Sequence, residues 1–400
     1  MSDRRREPLT NVGGAIETQG DPELSAILGR AWEAASTGER EDPGGPADLT
    51  HGFHAYPARM PPALARALFE ELAPRRVLDP FCGSGTVLVE ARRAGCTATG
   101  VDLNPLALQL AAVKTRATTE ADRSAFLGTL RSVATASEAR VRAREPARAP
   151  LRGEDLRLYG PHVLKELAGL LEEIRAARNK RTLAALEMVF SAIVIKVSQQ
   201  RAETAERLAP KRIRKGLSTE IFARKGEELA ARWAAFAEAL PPRSAGPTLE
   251  RGDARALGQV LRPGWTYDLV LTSPPYGGTY DYAAHHRLRA AWLGVRLGGL
   301  EAQEIGARRN LQDRGDRGRW DAELGAALRA SAARLGPHGL LVLVLGDGQI
   351  GDARVPAEDQ VAALAPAAGL RPVARASQPR RDWTGGPPRR EHLLALQRRR

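Results

Sequence analysis

Residues 272–276 read Thr-Ser-Pro-Pro-Tyr and follow the apolar run Leu269-Val270-Leu271, the pattern of a buried strand that leaves the core through a stiff turn. Neither Pro274 nor Pro275 has a backbone donor, and an ordinary turn needs one proline at most. Two in a row fix the backbone and leave bare carbonyl oxygens next to the Ser273 hydroxyl and the Tyr276 ring. Such a turn is shaped to present acceptors and an aromatic face to something outside the strand.

A second stretch, "LDPFCGSGT" (78–86), bends a strand into a helix at Gly83 and Gly85 with an acid, Asp79, at its base. The dinucleotide fingerprint G-x-G-x-x-G would need a third glycine where Leu88 stands, and no G-x-x-x-x-G-K-[ST] occurs anywhere. An acid at the base repels a pyrophosphate and suits an ammonium group. Asp102, after the next strand, is placed to accept both hydroxyls of a ribose, and Asp253, after a third, to take an adenine amino group. An amino-acid end, a ribose and an adenine without phosphate describe S-adenosyl-L-methionine. Phe81 and Thr86 on the glycine turn, and Asn104 beside Asp102, complete the expected cofactor set.

The elements that must hold these residues alternate. "RRVLDP" and "TATGVD" read as strands, "TVLVEARRAG" and "NPLALQLAAVKTRAT" as helices, the second with a proline in its first turn. From 116 to 245 only helices are legible, among them "HVLKELAGLLEEIRAA" with apolar residues at helical spacing; Pro241-Pro242 ends the run. Strands resume at "PTLERGD", "YDLVLT", "GLLVLVLG", "LRPVARASQ" and "EHLLALQRR". The expected fold is α/β, a doubly wound seven-stranded sheet with a helical insertion. Residues 48–115 and 246–400 form the main domain, 116–245 the insertion, and 1–47 a polar, flexible segment in which "DPELSAILGRAWEAA" reads as a helix.

Of 400 residues, 60 are Lys or Arg and 47 Asp or Glu, a formal charge of +13 that favours polyanionic partners, although an arginine-rich composition also reflects a biased genome. Two cysteines, Cys82 and Cys96, build neither a disulfide framework nor a cysteine zinc site, so a reducing compartment is expected. The first residues lack the apolar run of a secretory signal, and the longest apolar stretches are too short for a bilayer. These features point to the cytoplasm.

"DPFCGSGT" followed by "TSPPY" resembles the N4-cytosine and N6-adenine DNA methyltransferases, the amino-methyltransferases of nucleic acids that use S-adenosyl-L-methionine. The resemblance implies a class I methyltransferase sheet ordered 3-2-1-4-5-7-6, with strands one and four adjacent at the switch point, where ligands of open sheets sit. It also implies that the Ser273 hydroxyl and the Pro274 carbonyl accept the two hydrogens of a base amino group and localise its lone pair. Pro275 keeps the turn rigid, and Tyr276 stacks on a base swung out of its helix.

Residues 50–62, "THGFHAYPARMPP", are similar to an H-x-Y-P-A-[RK] stretch of some bacterial members, which closes over the methionine end of the cofactor. His54, Tyr56, Pro57, Ala58 and Arg59 match it, with Arg59 set to pair with the carboxylate. A metal on His51 and His54 is disfavoured, since their spacing is three residues and no cysteine or carboxylate lies nearby; no metal is expected. Serine at the first catalytic position is the version more often associated with N4-cytosine. N6-adenine in DNA and an RNA base are the alternatives, a binding protein that has lost its activity is a further one, and a restriction endonuclease is a possible companion. The insertion, the stretch "LAPKRIRKG" and the stretch "GARRNLQDRGDRGRW" are expected to contact the nucleic acid.

Overall fold

The computed structural model describes residues 14–41, 48–201, 208–312, 316–351, 353–380 and 389–399. Among the described residues ten strands run in chain order: β1 (Glu17–Gly20), β2 (Arg76–Asp79), β3 (Thr97–Asp102), β4 (Thr248–Arg251), β5 (Tyr267–Thr272), β6 (Leu335–Gly346), β7 (Gly348–Ile350), β8 (Ala353–Val355), β9 (Leu370–Arg380) and β10 (Arg389–Arg398). Eight of them form one sheet ordered β1-β9-β10-β6-β5-β2-β3-β4, and β7 and β8 pair as a separate hairpin. Read from β4, this is the expected 3-2-1-4-5-7-6 order with one strand added beyond it. The pairs β2·β3, β3·β4, β2·β5 and β5·β6 are parallel, whereas β10 runs antiparallel to both β6 and β9. The fold is therefore the α/β class I methyltransferase arrangement.

Strand side chains alternate between two cores, as the pleat requires. Val77, Leu269, Leu271, Val342, Val344 and Leu393 pack with Trp32, Leu64, Leu68 and Leu88 from helices on one face. Leu78, Val270, Leu341, Leu343, Leu394 and Leu396 pack with Leu324, Leu328 and Val361 on the other. Because β2 to β5 all point the same way, Asp79, Asp102, Asp253 and Ser273 emerge from one edge of the sheet.

The flexible segment expected at 1–47 is corrected over its described part. β1 adds to the sheet edge, pairing Glu17 with Ser377 and Gly20 with Ala374, and the helix Pro22–Glu41 covers the sheet. Trp32 is fully buried and its indole donates to the Ala376 carbonyl at 3.0 Å. The reason is apolar periodicity: Ile27, Leu28, Ala31, Trp32 and Ala35 fall on one helical face, enough to overcome the polar surroundings.

The helices Glu120–Ala143, Pro161–Arg175, Lys180–Val194 and Leu217–Ala239 occupy the stretch between β3 and β4 that reads as all-helical. Thr119 opens the first with a reciprocal cap from Asp122, and Asn179 caps the third. Their apolar faces share one core with Leu106, Leu110 and Val113 of the helix Pro105–Lys114 and with Trp292 of the helix Tyr282–Leu293. The excursion is thus packed onto the helices that follow Asp102 and the Ser-Pro-Pro-Tyr turn. Among the described residues no helix is long and apolar enough to cross a membrane.

Candidate active site

A cavity at the carboxyl edge of the parallel strands is walled by residues from several segments of the chain. Tyr56 and Arg59 come from the segment before β2, Asp79, Phe81, Gly83 and Thr86 from the glycine turn, and Asp102 and Asn104 from the end of β3. Asp253 follows β4, and Ser273 and Pro275 follow β5. Of the fifteen residues singled out from sequence, these eleven converge on the cavity. Gly85 shapes the turn from behind, while His54, Pro274 and Tyr276 do not line it.

Glycine is required at both turn positions. Gly83 has φ of +48°, and an added Cβ would stand 3.0 Å from the Tyr56 ring. Gly85 has φ of +86°, and a Cβ there would stand 3.0 Å from the Ala111 Cβ of the next helix. The turn also clamps the second acid, because Gly83 N–H donates to Asp102 Oδ2 and Asn104 N–H to Oδ1, each at 2.8 Å. Asp79 accepts from the Thr272 hydroxyl at 2.6 Å and from Phe81 N–H at 3.1 Å, which ties β2 to β5.

Burial raises both carboxyls. Asp79 is pushed up to about 7 by burial, its hydrogen bonds from Thr272 and Phe81 opposing the rise. Asp102 is pushed up to about 6 by burial against its two backbone donors. Taken out of water, these acids gain from a cation or hydroxyl donors and resist a phosphate.

Two polar atoms at the cavity are left over. Asn104 spends its Oδ1 on capping Leu106 N–H, while its Nδ2 is buried with no partner, and the buried Thr86 hydroxyl has none either. Orphaned donors are rare in folded interiors and mark where a ligand completes the bonding. Two acids, unspent hydroxyl and amide groups and an apolar wall of Pro80, Phe81, Leu103 and Ile305 fit S-adenosyl-L-methionine.

The remaining predicted residues are held differently from expectation. His54 is buried behind the cavity wall, bonded through Nε2 to the Ser191 hydroxyl at 3.0 Å and through Nδ1 to the Ala55 carbonyl at 2.7 Å. Burial and the nearby Arg289 cation hold it well below the usual imidazole range. It anchors the segment to the inserted helices and makes no cavity contact. Arg59 lines the cavity and donates to the His51 carbonyl. His51 itself meets Glu90 at 2.8 Å, a carboxylate that sequence spacing did not reveal.

Asp253 grips its neighbour Arg255, with contacts of 2.6 Å to Oδ2 and 3.0 Å to Oδ1, and caps Arg255 N–H. Tyr276 is 5% exposed, its hydroxyl donating to Glu391 at 2.5 Å. The Arg380 guanidinium lies 5.8 Å from its ring and Gly346 presses so close that an added Cβ would stand 2.9 Å from it. Held this way, the ring is packed into the turn, and it lines the smaller cavity beside Ser273.

Sequence reasoning missed Glu391, Arg380, Glu304 and Lys114. Glu304 lines the cavity and holds Arg309 at 2.9 Å. Lys114 is fully buried beneath the glycine turn, donating to Ser84 Oγ at 3.1 Å. The only hint for Glu391 was a charged pair at the head of an apolar strand. Cations of the two basic stretches are partly committed inside the protein. Lys211 donates to the Gln200 and Lys196 carbonyls at 2.8 and 3.1 Å, and Arg309 also binds Asp281 at 3.1 Å.

The sequence profile of the N6/N4 methylases, described as DNA methylase, matches residues 13–113. Over those residues the chain is similar to the N6/N4 DNA methylase family. They include the 50–62 segment, the glycine turn, Asp102 and Asn104. Type II methyltransferase M.MvaI of Kocuria varians is 42% identical over 73 residues, which amount to 17% of this chain and 16% of that relative. The match therefore spans about a sixth of the curated relative's length. Solved structures with a similar trace include TrmN from Thermus thermophilus, at 16% identity and a TM-score of 0.32 over 85% of this chain and 49% of that one. The rRNA methyltransferase AviRa from Streptomyces viridochromogenes gives 19% identity and a TM-score of 0.34 over 91% and 94%.

Proposed function

We propose that this chain is an S-adenosyl-L-methionine-dependent DNA methyltransferase that acts on an exocyclic amino group, N4 of cytosine. The observation that carries the reading is the place of Ser273, which walls the cofactor cavity and also a second, smaller cavity formed with Tyr276, Arg380 and Glu391. A hydroxyl at the junction of two cavities stands where donor and acceptor must meet.

The bound cofactor supplies an electrophilic methyl group. Asp79 would hold its ammonium end, Asp102 its ribose, and Arg59 its carboxylate, while Asn104 and Thr86 have donors to spare. Asp253 keeps Arg255 in place and reaches the adenine only with its remaining lone pairs. On the acceptor side, Ser273 Oγ and the Pro274 carbonyl take the two amino hydrogens. That raises the nucleophilicity of a nitrogen whose lone pair is otherwise delocalised into the ring. The two prolines keep these acceptors fixed, so little reorganisation accompanies the charge that develops. The acceptor base reaches them swung out of its stack. The inserted helices serve target recognition in this reading, which is supported by their packing against the helix Tyr282–Leu293 just beyond the turn.

The test supplies methyl-labelled cofactor with unmethylated genomic DNA or total RNA, digests each to nucleosides and identifies the labelled one by mass spectrometry. The expected product is N4-methylcytosine from DNA, lost in Ser273→Ala. Label in N6-methyladenine keeps the chemistry and moves the base; label from RNA moves the substrate.

A further inference from the structure

Beyond the methyl-transfer geometry, a chain of hydroxyls leads away from the acceptor. Ser273 Oγ donates to the Tyr276 hydroxyl at 3.5 Å, and that hydroxyl donates to Glu391 Oε1 at 2.5 Å. Glu391 is completely buried at the head of β10, and its second oxygen makes no hydrogen bond. Tyr276 and Glu391 both line the smaller cavity with Ser273.

We propose that Ser273, Tyr276 and Glu391 form a proton relay that carries the acceptor's surplus proton from the reaction centre to the Glu391 carboxylate. The inference rests on the methyltransferase reading above. When the amino nitrogen gains a methyl, the carbon–sulfur bond of the donor breaks with its electrons left on sulfur, and one N–H proton must leave. Ser273 Oγ takes that proton as its own passes to Tyr276, and the Tyr276 proton passes to Glu391 Oε1. Both hydroxyls end as they began, and the net change is one proton on the carboxylate.

Direction is built into the bonds. A serine that accepts from the amino group must point its own hydrogen elsewhere, and the nearest acceptor is the Tyr276 oxygen, whose hydrogen is already aimed at Glu391. The first link sits at the outer limit of a hydrogen bond, as catalytic contacts often do before the substrate arrives. Burial holds the Tyr276 hydroxyl well above the usual phenol range, so it passes a proton on without ionising itself. Burial likewise raises Glu391 above the usual carboxylate range and makes it a better proton acceptor. The groups facing it are Tyr276, Arg380 with Nε at 3.8 Å, His392 and Asp347; Arg380, Tyr276 and His392 oppose the rise, and Asp347 adds to it. Glu391 is thus a positioning residue that acts through Tyr276 and Ser273.

The test compares wild type with Glu391→Gln and Tyr276→Phe at saturating cofactor and DNA, where titration of Asp79 and Asp102 in the free protein no longer enters. Each variant should lose roughly tenfold or more in kcat, with cofactor Kd within about twofold of wild type. The double variant should be no slower than either single one. The acid limb of the wild-type kcat profile, set by protonation of Glu391, should vanish in Glu391→Gln. Independently of turnover, infrared difference spectra of the cofactor-free protein should show, beside the signals of Asp79 and Asp102, a further buried carboxyl titrating above the ordinary range that is absent in Glu391→Gln. Folded variants with wild-type kcat and acid limb overturn the relay alone. A wild-type protein that binds cofactor yet methylates no base nitrogen overturns the proposed function and the relay with it. Should Glu391→Gln fail to fold, Tyr276→Phe keeps the carboxylate and decides the matter by its own kcat.

Discussion

The Thr272 hydroxyl donates to Asp79 Oδ1 across 2.6 Å, so the last residue of β5 holds the acid at the end of β2. That bond adds to the parallel pairing of β2 and β5 in tying the cofactor side to the acceptor side. Thr272→Val keeps the shape and removes the donor, which should cost about 1–2 kcal/mol in urea unfolding above neutral pH. Asp79, left with Phe81 N–H, should titrate higher still, and the pH at which cofactor binding reaches half its maximum should move up with it.

Asp79 near 7 and Asp102 near 6 give stability and binding opposite pH dependences. Both carboxyls bind protons more tightly folded than unfolded. Their contribution to stability is therefore fully present below about pH 4 and is lost as pH rises through 6 and then 7. Cofactor binding runs the other way, because an ammonium group pairs with the ionised Asp79. Calorimetric titrations should show affinity rising through about pH 7. Asp79→Asn should flatten that rise and weaken binding roughly tenfold or more. A cofactor affinity that stays level across this range would remove Asp79 from the ammonium site.

Asn104 does two jobs with two atoms, and serine separates them. Asn104→Ser retains a cap for the helix Pro105–Lys114, so stability should hold within about 0.5 kcal/mol. The unpartnered Nδ2 is gone, and cofactor affinity should fall about fivefold. Equal affinity in the two proteins would show that the amide faces no ligand.

Trp32→Ala tests whether the N-terminal helix belongs to the core. Removal of a fully buried indole, with the Ala376 carbonyl left without its donor, should cost about 3–5 kcal/mol in thermal or urea unfolding. A loss below about 1 kcal/mol is the value for a surface substitution and would refute the packing.

Much of the sheet was legible because β2, β5 and β6 contain apolar runs bounded by glycine, proline or polar residues, and Asp79 and Ser273 stand at the ends of two of them. What stayed hidden depended on partners remote in sequence. The hydroxyl of Tyr276 gives no sign in the sequence that Glu391, far along the chain, takes it. His54 looks like a cavity residue until Ser191 in the inserted helices claims it. Asp253 reads as a ligand group, and only the conformation of the next two residues turns Arg255 onto it. β1 is four residues long and entirely exposed, with no alternation to announce it; it exists because β9 offers an unpaired edge.

That same edge governs how the chain can be assembled. Trp32 and the carbonyl it binds are 344 positions apart, and β1 waits for β9, the last strand but one along the chain among the described residues. While the protein is being synthesised, the helix Pro22–Glu41 leaves the ribosome early and has no strand to cover until residues past Ser377 have emerged. The helix Pro62–Leu72 can cover part of its apolar face early, but the contacts of Trp32 with β9 close only at the end of synthesis, and long-range closure of this kind slows folding.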